Sequence, residues 1–200
     1  MQIFSKHNKN LMDFVKLFSR DYEKVIVELG MGDGMLIESL ARNDQSSLYV
    51  GIELNNGECK YARSKIVLNN VIVINGSFEE IIPAIPNTSI DGFIDILPDP
   101  AYIDKSTQHR WLPLYNLAYT KLKKKGTFQL ITEITNELFE PVDDNEYAKW
   151  AEWLKTIFSS IGFSITNDYE GTPANYISRC LHQFRNDPKR IRMITLEMIK

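Results

Sequence analysis

Apolar positions along the chain follow two alternating patterns. Short dense runs predict strands at Lys24–Leu29, Leu48–Glu53, Val71–Asn75, Ile90–Leu97, Thr127–Thr132, Ser164–Asp168 and Ile191–Ile199. Between them, helical spacing of apolar residues predicts helices over Met35–Ala41, Gly57–Leu68, Arg110–Lys124 and Glu146–Ser160. A leading helix is expected over Asn10–Arg20, with Leu11, Phe14, Val15 and Phe18 on one face. Strand–helix alternation at these lengths points to the α/β class, with a parallel sheet covered on both faces. Tyr169 to Arg190 reads as a loop, so the last two strands are expected to pair antiparallel. Ligands of open α/β sheets bind beyond the carboxyl ends of the strands. That places Glu28, the glycines after it, Glu53, Ser77, Asp99 and Thr132 along one rim.

The segment Val25-Ile-Val-Glu-Leu-Gly-Met-Gly-Asp-Gly34 is an apolar strand ending in an acid, then in Gly30, Gly32 and Gly34. Glycine lacks a Cβ and accepts positive φ, which suits a turn whose backbone approaches a ligand. Helical spacing from Met35 puts that turn at a helix N-terminus, where amide N–H groups point outward. A second acid, Glu53, closes Leu48-Tyr-Val-Gly-Ile-Glu, and an acid at the tip of the second strand is where doubly wound folds hold ribose hydroxyls. The two features imply a nucleoside-containing cofactor. The G-x-G-x-G spacing departs from the dinucleotide fingerprint G-x-G-x-x-G at its third glycine. Glu28 would moreover repel a diphosphate and favour a cationic group. This set resembles motif I and the strand-two acid of class I S-adenosylmethionine (AdoMet)-dependent methyltransferases. The resemblance implies a single-domain Rossmann-like fold, with a mostly parallel seven-stranded sheet, a reversed last strand, and AdoMet as cofactor. It assigns Glu28 and the backbone of Gly30, Gly32 and Gly34 to the methionine end and Glu53 to the ribose. Gly76, Ser77 and Phe78 join the same site, the last two bordering the adenine.

Two hundred residues suit one domain, and a chain of this size buries about 70% of its unfolded surface. Residues 1–21 are expected to form the leading helix, 22–135 the cofactor-binding core and 136–200 a substrate-side part. No apolar run approaches a membrane span and the N-terminus lacks a signal-peptide core, so a cytoplasmic protein is expected. Cys59 and Cys180 form no C-x-x-C, and His7, His109 and His182 show no ligand spacing, so neither a disulfide nor a metal site is indicated. A net charge of −3 counts mildly against a surface coated in nucleic acid, although local patches matter more than the sum. Lys121 to Lys125 are expected at a helix C-terminus, where cations favour the macrodipole. RNA contact is assigned instead to two other groups: Lys6, Lys9, Lys16 and Arg20, and Arg185, Lys189, Arg190 and Arg192.

After the fourth strand comes Asp95-Ile-Leu-Pro-Asp-Pro-Ala-Tyr-Ile-Asp-Lys-Ser-Thr-Gln-His-Arg-Trp111. Prolines on both sides of Asp99 restrict the backbone and hold that acid at the rim. Leu-Pro-Asp-Pro followed by Lys105, His109 and Arg110 resembles the F-P-D-P-W-P-K-x-R-H-x-K-R-R signature of tRNA (guanine-N7-)-methyltransferases. Tyr49-Val-Gly-Ile-Glu matches that family's F-I-G-I-E, Ser89-Ile-Asp its S-V-D, and Thr132-Glu133 stands for its T-D. The match runs in register over residues 22 to 135, with an echo of the C-terminal T-x-[FY]-E-x-R motif at Tyr176 and Arg179. It implies an enzyme that methylates RNA, with tRNA as partner, as a monomer or homodimer, without metal or membrane. Asp99 would be the catalytic residue, and Lys105, Arg110, Thr132, Glu133 and Arg179 would contact the substrate. Several family positions differ: Ala101 stands for the tryptophan, Ala174 and Ile177 for the C-terminal threonine and glutamate, and Gly76-Ser77 for D-A. These changes fit a divergent member with altered substrate contacts.

Other methyl acceptors stay open at this level. Asp99-Pro-Ala-Tyr102 approximates the [DN]-P-P-[YF] motif of exocyclic-amine methyltransferases, lacking its second proline. Asp33-Gly34 and the Tyr176 to Arg192 run resemble ribosomal RNA adenine-N1 methyltransferases, lacking their Pro-Trp pair. A small-molecule methyltransferase or a non-catalytic cofactor-binding subunit is the alternative of another class.

Overall fold

Seven strands build one sheet: β1 (Lys24–Leu29), β2 (Ser47–Glu53), β3 (Val71–Asn75), β4 (Ile90–Ile96), β5 (Leu122–Thr135), β6 (Ser164–Glu170) and β7 (Ile191–Ile199). In this computed structural model their order is β3-β2-β1-β4-β5-β7-β6. Pairs among β1 to β5 are parallel, whereas β7 runs antiparallel to both β5 and β6. The reversed last strand expected from the sequence is therefore present. The structure describes residues 22–135, 140–188 and 190–200, so the leading helix expected over Asn10–Arg20 lies outside it.

Side-chain alternation divides the core into two layers. Val25, Val27 and Leu29 of β1 face α3 (Phe78–Ala84), α4 (Gln108–Lys121) and α5 (Asp144–Ile161) through Ile81, Ile82, Trp111, Tyr115, Leu154 and Phe158. The opposite face packs on α1 (Met35–Asn43), α2 (Asn56–Lys65) and α6 (Arg179–Arg185) through Leu36, Ile37, Cys59, Ala62 and Leu181. Phe128 of β5 is the hub of the first layer. Its ring lies within 6.2 Å of those of Phe93, Tyr115, Phe158 and Phe163.

Three features depart from the sequence expectation. α3 is a seven-residue helix with Pro83 inside it, too short to show a period, and is started by Ser77 accepting from the Glu80 amide at 3.3 Å. α6 interrupts the expected 169–190 loop, capped by Ser178, whose Oγ accepts from the Leu181 amide at 3.1 Å. Finally, α4 stops at Lys121 and β5 begins at Leu122, so only Lys121 of the lysine cluster belongs to the helix end. Its Nζ is buried and donates to Asn87 Oδ1 at 2.9 Å, while Lys123 pairs with Asp91 at 2.8 Å. Lys125 turns the chain at φ +65°. These lysines serve strand pairing and side-chain bonding, where a macrodipole cap was expected.

Replacing Phe128 by Ala removes the ring shared by four neighbours. Equilibrium urea unfolding should show a loss of about 3–5 kcal/mol; a loss under 1 kcal/mol would mean that the cluster is not the core of the first layer.

Candidate active site

β1 and β4 lie side by side, but the chain leaves β1 toward β2 and reaches β4 from β3, on the far side of β2. The carboxyl ends of such a pair open a crevice, the ligand position of doubly wound sheets. The glycine turn after Leu29 lies on one side of it and the Pro-Asp-Pro loop after β4 on the other.

Backbone geometry seats the glycine turn. The Gly30 and Met31 amides donate to the Ile52 carbonyl at 2.9 and 3.1 Å. A Cβ on Gly51 would stand 2.2 Å from Met31 Sδ, so the bare glycine is what lets Met31 lie on β2. Gly32 has φ +55° with nothing within 4 Å of a Cβ position, so its backbone borders open space. Its amide donates to Glu53 Oε2 at 3.0 Å, and the Asn55 amide to Glu53 Oε1 at 2.6 Å. Gly34, at φ +79°, opens α1 without a side-chain cap.

Glu28 ends β1 on the α1–α2 face, 4% exposed, and its Oε2 has no partner among the described residues. Burial pushes its carboxyl up to about 8, and the charges of Asp33, Asp95 and Glu53 push the same way. A carboxyl so placed keeps its proton at neutral pH unless a cation meets it. Gly76 donates its amide to the Glu53 carbonyl at 3.1 Å, and Ser77 caps α3. Phe78 Cζ lies 3.6 Å from the position a Cβ on Gly30 would take, so the third β–α turn closes on the first.

The Pro-Asp-Pro loop begins with strain. Leu97 sits at φ +51°, a left-handed conformation costing about 1 kcal/mol for a non-glycine residue, with its amide bonded to the Ile131 carbonyl at 2.7 Å. Asp99 is exposed and accepts from the Ala101 amide at 2.9 Å. Tyr102 donates to Glu79 Oε1 at 2.6 Å, its ring 5.5 Å from Phe78, and Trp111 Nε1 donates to the Asp104 carbonyl at 2.7 Å. The loop is thus tied to α3 and α4 while Asp99 stands in solvent. Lys105 and Arg110 are exposed on the same side, Lys105 Nζ 6.0 Å from the Trp153 ring.

The other residues expected at the site fall on two faces. Thr132 is fully buried on the α4 side and its Oγ1 is unpartnered among the described residues. Glu133 faces α6, and burial pushes it up to about 7. Arg179 lies across the glycine turn, 3.0 Å from Glu58 Oε2 and 3.4 Å from Asp33 Oδ2. It is therefore on the α1–α2 face, away from Lys105 and Arg110, and the three do not form one patch. Of the C-terminal arginines expected to touch RNA, Arg185 and Arg192 are bonded within the fold, whereas Arg190 stays 54% exposed in a surface ion pair. Arg185 donates to the Pro173 and Tyr176 carbonyls at 2.7 and 2.9 Å, Arg190 pairs with Asp187, and Arg192 with Glu170 and Asp144. Lys6, Lys9, Lys16, Arg20 and Lys189 lie outside the described residues.

Two residues escaped the sequence analysis. Asp95, 2% exposed, accepts from Tyr115 Oη at 2.8 Å, and burial pushes it up to about 7. An acid inside the apolar run Phe93-Ile-Asp-Ile-Leu97 was its available signal. Asn75 donates to the Glu53 and Leu54 carbonyls at 3.0 and 2.9 Å, fixing the chain beyond β2.

A doubly wound sheet with a reversed seventh strand, a glycine turn at its switch point and acids ending β1 and β2 define a class I AdoMet-dependent methyltransferase. A family model described as "Putative methyltransferase" matches residues 22–166, and the chain belongs to this methyltransferase family. It is 28% identical over 131 residues to a bifunctional methyltransferase of Rickettsia typhi, covering 62% of this chain and 25% of that one. It is 26% identical over 178 residues to a tRNA (guanine-N(7)-)-methyltransferase of Shigella boydii, covering 84% and 69%. The chain thus spans only a quarter of the first relative's length. Among solved structures, the 16S rRNA methyltransferase KamB superposes with TM-score 0.71 at 17% identity, covering 99% of this chain and 94% of that one, a likeness of fold.

The residues fit AdoMet. Glu28 would offer a buried carboxylate to the ammonium, Gly32 would leave room for close backbone approach, and Glu53 would meet the ribose from the end of β2. Because the folded-state pKa of Glu28 is raised, the stability it contributes is present below its usual value of 4.5 and is lost as pH rises through about 8. A bound cation reverses that preference and ionises the carboxyl. Titration calorimetry at pH 7 in buffers of different ionisation enthalpy should show protons released on AdoMet binding, and Glu28→Gln should abolish the release and weaken affinity at least about tenfold. Equal proton release by both proteins would remove Glu28 from the ammonium site.

Proposed function

We propose that this protein transfers the AdoMet methyl group to RNA, at N7 of a guanosine in tRNA. The observation that carries the reading is the Leu97–Pro100 turn, which holds the exposed Asp99 carboxylate across the switch-point crevice from the glycine turn. The identity to tRNA (guanine-N(7)-)-methyltransferases supports it. AdoMet supplies an electrophilic methyl on a sulfonium. Guanine N7 has an in-plane lone pair and no proton, so the protein's task is alignment and exclusion of water, which contribute about 7–11 kcal/mol. Asp99 accepts hydrogen bonds from the guanine edge and offsets the positive charge that develops on the purine. Lys105 and Arg110, in no ion pair among the described residues, receive the flanking phosphates from the α4 side.

Exocyclic-amine transfer is less well supported. Tyr102, which would have to stack on the target base, has its hydroxyl committed to Glu79 and its ring against Phe78.

Labelled methyl from AdoMet should enter bulk tRNA, and borohydride reduction followed by aniline should cleave the product at the modified guanosine. Asp99→Ala should lower kcat by about 100-fold, with AdoMet affinity unchanged by calorimetry. Label in a metabolite extract but not in RNA, or labelled RNA that resists aniline, would refute the assignment.

A further inference from the structure

The methionine end of AdoMet carries a carboxylate as well as an ammonium, and the side chains around the first turn answer only the second. Glu28, Asp33, Glu53 and Glu58 gather around it, and each would repel a carboxylate. The cation reaching this cluster comes from the far end of the chain. Arg179, at the first position of α6, places Nη2 3.4 Å from Asp33 Oδ2 and 3.0 Å from Glu58 Oε2. Asp33 lies between Gly32 and Gly34, and Glu58 in the first turn of α2, just beyond the segment fixed by Glu53. The guanidinium therefore spans the mouth between the first two β–α turns, and its side chain is 57% exposed, so it is not locked inside the fold.

The segment that carries Arg179 is anchored independently of it. Tyr176 Oη donates to Gln129 Oε1 at 2.5 Å, Leu181 is fully buried against the sheet, and Arg185 Nε donates to Thr172 Oγ1 at 2.8 Å. α6 thus holds Arg179 over the glycine turn even without the ion pairs. The neighbouring Ile177, 45% exposed, contributes no charge of its own.

We infer that Arg179 binds the carboxylate of the cofactor's methionine moiety, exchanging part of its pairing with Asp33 and Glu58 for that group. Glu28 and Arg179 then form a complementary pair for the zwitterion, one from β1 and one from α6. Arg179 is thereby a cofactor residue, where the sequence motif had suggested a substrate contact. The inference does not depend on the identity of the methyl acceptor.

Decarboxylated AdoMet, which keeps the ammonium and the sulfonium, separates this role from a structural latch. By calorimetry, wild-type protein should bind AdoMet more tightly than the decarboxylated form. Arg179→Gln should weaken AdoMet by about ten- to a hundredfold and change decarboxylated AdoMet little, erasing the preference. Arg179→Lys should restore part of it, and the thermal midpoint of the cofactor-free variants should stay near wild type. Equal weakening of both compounds would show that Arg179 only holds α6 in place, and unchanged AdoMet affinity in Arg179→Gln would place the carboxylate elsewhere; either result overturns the inference.

Discussion

A carboxyl group held out of water at the end of β1 sets the terms for everything around it. Below about pH 8 Glu28 keeps its proton there unless a cation meets it, because burial and three neighbouring acids all favour the protonated form. A side chain with these properties lowers stability at neutral pH relative to an apolar residue of similar shape. Its place would be explained by what it meets when AdoMet, which brings both an ammonium and a sulfonium, is bound. The backbone is arranged to the same end. Met31 lies on Gly51, Gly32 leaves its surroundings open, and Glu53 accepts the Gly32 amide, so the turn is held in shape while its ligand side stays clear.

The sheet order then brings a second chemistry to that crevice. Since β4 adjoins β1, the loop after β4 faces the glycine turn although about 65 residues of chain separate them. Leu97 bends into the left-handed region as the chain leaves the strand, and Tyr102 and Trp111 fasten the loop to α3 and α4. Fixing the loop at its flanks lets Asp99 be exposed yet positioned. Backbone strain of this kind survives only where the surroundings impose it, and here they do so at the rim.

Much of this was legible in the sequence, and the reasons it was are specific. The strands of the parallel half are buried on both faces, so they read as continuous apolar runs, β2 being buried at six of its seven positions. The glycine turn was legible because its glycines answer a backbone requirement visible in their spacing. α3 and α6 were not, since seven residues give no period and Pro83 argues against a helix; their starts lie in the Ser77 and Ser178 caps. The end of α4 was misplaced because a lysine run looks the same as a helix cap and as the exposed side of a strand. Asp95 was hidden by its neighbours, and only the packing of Tyr115 shows that its carboxyl is bonded in the core. The partners of Arg192 lie 22 and 48 residues away, so nothing local distinguished a guanidinium consumed by carboxylates from one offered to RNA.

The charge layout sets the two sides of the crevice apart. Acids dominate the α1–α2 side of the crevice, whereas Lys105 and Arg110 stand on the α4 side. A polyanion approaching the first side meets Asp33, Glu53 and Glu58 with Arg179 as their one cationic partner there among the described residues, while the second side attracts it. The proposed RNA acceptor would thus be drawn to the side of the crevice opposite the acids. Transfer also removes the sulfonium charge, so the demethylated by-product would meet the same acids with one positive charge fewer. By charge alone, the cluster that makes Glu28 costly in the empty protein would thereby favour the loaded cofactor over the spent one.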